Sequence, residues 1–155
     1  MTDKRCKALF AAAASVLFSP TAIAQPVAAV ETCIDNFAAS AEFLVQPAQV
    51  NARFFAKGDI LVVHLNTYGE PAGGASRLLV RHPGQDGLVC SLVSVKGAVS
   101  FGNIFMAELK SNYDPVNGLE LQVPVTVFDG SSFAKFLLTV TVNQADGSMN
   151  AAISK

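Results

Sequence analysis

The chain has 155 residues, 51% of them hydrophobic, with 11 Lys and Arg against 12 Asp and Glu and a formal net charge of −1. That balance, with no basic cluster, excludes electrostatic attraction to a nucleic-acid backbone or an anionic lipid surface. Two histidines and three cysteines leave little material for a metal or acid–base centre.

The first residues read as an export leader rather than as structure. MTDKRCK carries Lys4, Arg5 and Lys7, the run from Ala8 to Phe18 is apolar except for Ser15, and Ala22-Ile23-Ala24 before Gln25 has the small-x-small form of a cleavage site. The run is shorter than the roughly 20 residues that span a bilayer. Residues 1–24 are therefore expected to be a cleaved secretory signal, with the product periplasmic or extracellular and not inserted in a membrane. Cleavage removes Cys6 and leaves 8 basic against 11 acidic side chains. Cys33 and Cys90 then form the one possible intramolecular pair, and in an oxidising compartment a disulfide is expected.

Residues 25–47 are expected to form an N-terminal segment with a short helix over about 31–43. Thr32 is its cap, Ile34, Phe37, Ala38 and Ala41 lie on one stripe, and Pro47 ends it. Residues 48–155 then read as a single β domain. Strand-like runs fall at 49–56, 59–66, 76–82, 87–96, 100–110, 118–128, 132–143 and 148–154, separated by turn residues such as Lys57-Gly58, Pro83-Gly84, Asp129-Gly130 and Asp146-Gly147. The connections leave no room for crossover helices, so the sheet is expected to be antiparallel. The predicted fold is an all-β, antiparallel β-sandwich with a short N-terminal helix; an eight-stranded up-and-down barrel is the alternative.

Alternation predicts the register of two hairpins. Pairing Asn66 with Arg77 places Leu65 against Leu78, Val63 against Val80 and Leu61 against His82 on one face, with His64–Leu79 and Val62–Arg81 on the other. His64 and His82 are then on opposite faces. In the last hairpin, Leu119, Leu121, Val123, Val125 and Val127 share a face, as do Phe136, Leu138, Val140 and Val142. Pro124 lacks a ladder donor, which predicts an edge strand or a bulge. Val62, Leu79, Phe133 and Leu137 fall on the nominally outer faces and form the candidate interaction surface.

No nucleophile elbow, phosphate-binding loop, zinc helix or calcium loop occurs, and no enzymatic activity is expected. Ser131 and Ser132 belong to the Asp129-Gly130 turn, with no base nearby in sequence. Alternate connections of an antiparallel sheet lie at one end, which gathers Asp59, His82, Asp86, Tyr113, Asp114, Asn117 and Asp146 into a candidate ion- or sugar-binding rim. No cofactor is expected, calcium being the one ion such a rim would suit. The expected function is non-catalytic binding or assembly through the β surface, with a protein partner or a second copy. The alternative is a barrel-like carrier of a small ligand, calcium or sugar.

Overall fold

The computed structural model describes residues 25–68, 74–98 and 100–155; the expected leader, 1–24, lies outside them. Among these residues ten strands form two antiparallel sheets. One sheet has the order β1-β5-β4-β3-β2, from β1 (Ala28–Thr32), β2 (Ala52–Phe55), β3 (Ile60–Asn66), β4 (Ser76–Gly84) and β5 (Gly87–Val95). In the other, β10 (Ser148–Ser154), β9 (Phe133–Asn143) and β8 (Gly118–Phe128) run side by side, and β6 (Asn103–Ile104) and β7 (Lys110–Asp114) share the far edge of β8. The fold is an all-β sandwich. Its two separate sheets do not close into the alternative barrel.

The core lies between the sheets. Ile60, Val62, Leu78, Val80 and Val93 face Leu121, Val123, Val125, Leu138 and Val140, all fully buried. The alternation predicted for β8 and β9 holds residue by residue, with Leu121 opposite Val140 and Val123 opposite Leu138. Pro124 does not sit on an edge strand. β8 is flanked by β9 on one side, and on the other its partner changes from β7, ending at Gln122, to β6, starting at Val125. The Pro124 carbonyl accepts from Phe105 N, so its ring nitrogen points into that break, where no hydrogen bond is forfeited. The expected strand at 100–110 is broken for the same reason, into a bridge at Phe101, β6, a 3-10 turn at Met106–Glu108, and the start of β7.

The N-terminal helix expected over 31–43 is absent. Its first residues belong to β1, which pairs with β5, and Cys33 N donates to Cys90 O as the ladder ends. Cys33 and Cys90 are disulfide-bonded, 5.3 Å apart at Cα. Two 3-10 turns, Phe37–Ala39 and Ala41–Phe43, follow. The pairing of Cys33 with a strand overrides the weak helical stripe, and Ile34 and Phe37 point outward rather than forming a buried seam. Pro47 opens a four-residue helix, α1 (Ala48–Asn51), instead of ending one.

This segment covers the outer face of the first sheet. Ala38, Leu65 and Leu92 are buried there, with Cys33, Ala39, Phe43, Leu44, Val63 and Leu79 packed around them. Apolar side chains therefore lie on both faces of β3, and alternation loses its power to set register. The observed register is one residue away from the predicted one: Val62 opposes Val80, His64 opposes Leu78 and Asn66 opposes Ser76. Both histidines consequently lie on the inner face.

Candidate interaction surface

The residues expected at the rim are placed by four turns of one end, and two of those turns touch. Gly147 in the β9–β10 turn lies against the backbone of Gly84, where a Cβ would come 2.7 Å from the Gly84 Cα. The carboxylates are committed locally. Asp114 Oδ1 accepts from Val116 N and Asn117 N, and Asp146 Oδ1 accepts from Ser148 N. The Asn117 and Val116 N–H groups hold the Asp114 carboxyl below its ordinary range, and the Ser148 hydroxyl and N–H do the same for Asp146. Asp59 and Asp86 are exposed, as are Tyr113 and Asn117. His82 is 1% exposed, with Nδ1 2.9 Å from Pro83 O, and does not face the rim's solvent. Among the described residues no three His, Cys, Asp or Glu side chains come together in a way that could hold a metal ion. Asp114 and Asp146 are thus engaged by their own turns.

His64 makes a contact that the predicted register hides. Its Nε2 lies 3.0 Å from Ser76 Oγ, the Ser76 carbonyl accepts from Phe101 N, and Ser100 Oγ donates to the same carbonyl. A base beside a hydroxyl is the start of a nucleophilic pair. Here, however, His64 is 3% exposed and Ser76 is fully buried, and among the described residues Nδ1 has no partner to orient it. Burial pushes the imidazole down to about 4, so the ring is neutral near pH 7. The group is a polar knot tying β3, β4 and the Phe101 crossover together.

Of the four residues expected at the interaction surface, the structure separates two pairs. Val62 is 0% exposed, in the central core, and Leu79 is half-buried beneath the N-terminal segment. Val62 is closed to a partner, and Leu79 is packed against the covering segment. Their assignment to an outer surface followed from the shifted register for Val62 and from the unseen covering segment for Leu79.

Phe133 and Leu137 do lie on an open face. On the outer side of the second sheet, Leu137 opposes Pro124 and Phe133 opposes Phe128. The Phe128 and Phe133 rings are 5.3 Å apart at their centroids, and Phe133 is 44% exposed. Phe133 lies across Gly102, where a Cβ would come 2.4 Å from the ring; glycine there lets the aromatic lie flat on the backbone. Lys135, between Phe133 and Leu137 on this face, places Nζ 5.0 Å from the Phe105 ring centroid. The result is two apolar groups, Phe128 with Phe133 and Phe105 with Pro124 and Leu137, and the Thr126–Lys135 pair lies between them. Beyond them the face turns polar, through Gln122, Thr139 and Thr141.

A smaller aromatic group lies on the covering segment. Phe37 and Tyr68, 72% and 73% exposed, flank Phe43 at 5.7 and 6.5 Å between centroids. A cleft of about 430 Å³ opens between the sheets at the end opposite the rim, floored by Val27, Val95, Val127, Phe128 and Phe136. Sequence reasoning missed both, because each is assembled from segments far apart in the chain. No family model, no curated protein and no solved structure matches this chain, so its own geometry carries the functional reading.

Proposed function

We propose that this chain is an exported, non-catalytic binding or assembly module that engages a protein partner through the outer face of the β8–β9 sheet. The carrying observation is the contrast between the two outer faces. One is sealed by residues 33–44 and clipped by the Cys33–Cys90 disulfide; the other presents Phe105, Pro124, Phe128, Phe133 and Leu137 with no described segment over them. Apolar and aromatic side chains on both sides of a Thr126–Lys135 pair, with Gln122 and Thr139 beyond, give the mixed apolar and polar composition of a protein interface. The acidic balance of the chain disfavours nucleic acid and anionic lipid as partners. Export is supported by the leader pattern and the disulfide, and no helix among the described residues is long and apolar enough to cross a membrane.

The test is native mass spectrometry of the non-reduced protein, isolated from the compartment it is exported to, beside Phe133→Ser and Leu137→Glu. A complex, with a second copy or another protein, that dissociates in both variants while the melting temperature holds is the expected result. A complex insensitive to both substitutions, or no complex at all, overturns the face as the binding site.

A further inference from the structure

The seam between the two sheets is open at the end away from the acidic turns. Val95 at the end of β5, Val127 on β8 and Phe136 on β9 line the cleft of about 430 Å³ there, and their side chains present it with hydrocarbon only. Residues 25–27 wall it on one side. Two hydrogen bonds hold them across the seam, Lys96 N to Val27 O at 2.8 Å and Gln25 Nε2 to Ile153 O at 2.8 Å. Beyond that strap a second cleft of about 310 Å³ is lined by Ala151, Ala152 and Ile153. The seam is apolar on both sides of a single strand of chain.

Lys96 and Asp129 also line the larger cleft, and they differ in what they have left to offer. Asp129 is engaged by its own turn: Oδ1 accepts from Ser131 N, Ser131 Oγ and Ser132 N, and Oδ2 from Ser132 Oγ. Lys96 is exposed, and among the described residues its ammonium has no hydrogen-bond or ion-pair partner. A hydrocarbon cleft with one free cation beside it is complementary to an apolar body carrying an anionic head. Its volume lies at the small end of ligand pockets, which run from about 300 to 1,000 Å³, and so suits one chain rather than a two-chain lipid.

We propose that this cleft binds a single-chain apolar carboxylate, with the chain over Val95, Val127 and Phe136 and the carboxylate at the Lys96 ammonium. A cationic head meets Lys96 with like charge, and a neutral head leaves it unpaired. A dissolved acid of this kind needs one local cation and no basic surface, so the acidic balance of the chain does not bar it. Removal of the leader after Ala24 adds a second cation, the Gln25 α-ammonium, beside the same cleft; only this addition rests on the export reading.

Chemical-shift mapping of the non-reduced protein with decanoate, kept below the concentration at which it forms micelles, tests the proposal. Decanol and decyltrimethylammonium are the head-group controls. The expected result is saturable shifts at the Val27, Val95 and Val127 methyls, tightest for decanoate and weakest for the ammonium. Ala98→Trp, at an exposed position lining the cleft, should weaken decanoate at least tenfold with the melting temperature unchanged. Lys96→Glu should weaken it by up to about fivefold, the reach of an exposed ion pair, and leave decanol unaffected. No saturable shift at these methyls, equal affinity for the three heads, or indifference to Ala98→Trp overturns the proposal. Shifts centred on Leu137 instead move the chain to the open face and overturn it as well. The intact mass of the same sample reports the leader, so a chain that keeps it refutes cleavage while the titration still judges the cleft through Lys96.

Discussion

Replacing His64 with glutamine should change how the fold responds to acid. The imidazole is sealed in the core, Nε2 faces Ser76 Oγ, and Nδ1 has no partner, so protonation creates a charge with nothing to compensate it. Burial lowers its pKa from 6.5 to about 4. The folded state thus binds fewer protons than the unfolded chain in this window. The neutral form contributes full stability above pH 6.5, that contribution falls as the pH drops toward about 4, and below that it is constant. At 1.36 kcal/mol per unit the loss is about 3 kcal/mol. Asp129, held by the N–H groups of Ser132 and Ser131, is pulled down to about 2, so its contribution fades below the histidine window. Glutamine keeps an amide within reach of Ser76 Oγ and carries no titrating proton. Urea unfolding of both proteins, from near pH 7.5 to near pH 4, should show the wild type losing about 3 kcal/mol more than His64→Gln. Parallel curves, or an imidazole titrating near 6.5 by NMR in the folded protein, would refute the reasoning.

Two further predictions rest on the same structure. Cys33 and Cys90 are separated by 57 residues, so Cys33→Ser/Cys90→Ser should lower stability by about 4 kcal/mol in chemical denaturation, on the chain-entropy account of the closed loop. Its covering segment should also become sensitive to proteolysis, and an unchanged digestion pattern would show that the cover holds without its clip. Among the glycines, Gly130 and Gly74 both have positive φ, at 100° and 80°, but a Cβ meets nothing within 4 Å at Gly130 and comes 2.4 Å from Phe101 O at Gly74. Gly130→Ala should cost about 1 kcal/mol and Gly74→Ala about 3 kcal/mol, read by thermal melts; equal effects would contradict the close approach at Phe101.

Local signals account for what was legible in the chain. Turn residues and strict alternation place β8, β9 and β10 within a residue of their observed limits, because each has a single buried face and a well-marked turn. Where a second layer intervenes, the reading fails. The outer side of β3 and β4 is apolar because residues 33–44 lie on it, and no local pattern near Val62 or Leu79 reports a cover supplied from thirty or so positions away. The same blindness put Val62 on the surface and the two histidines on opposite faces. Phe133 and Leu137 lie on the outer side of their sheet, as expected, and no described segment covers it. Phe105, Phe128 and Gly102 escaped notice there, since the patch depends on which side of β8 each short partner strand takes.

The disulfide-clipped cover also sets an order of events. Chains emerge from their amino end, so Cys33 and the cover exist before any of the surface they will occupy. That surface is made of β3, β4 and β5, and Cys90 itself lies near the start of β5. Residues 33–44 are thus among the first made and cannot be among the first to settle. Cys33 must wait as a free thiol while 57 positions of chain pass, and a premature bond to another molecule would leave the sheet it should cover bare.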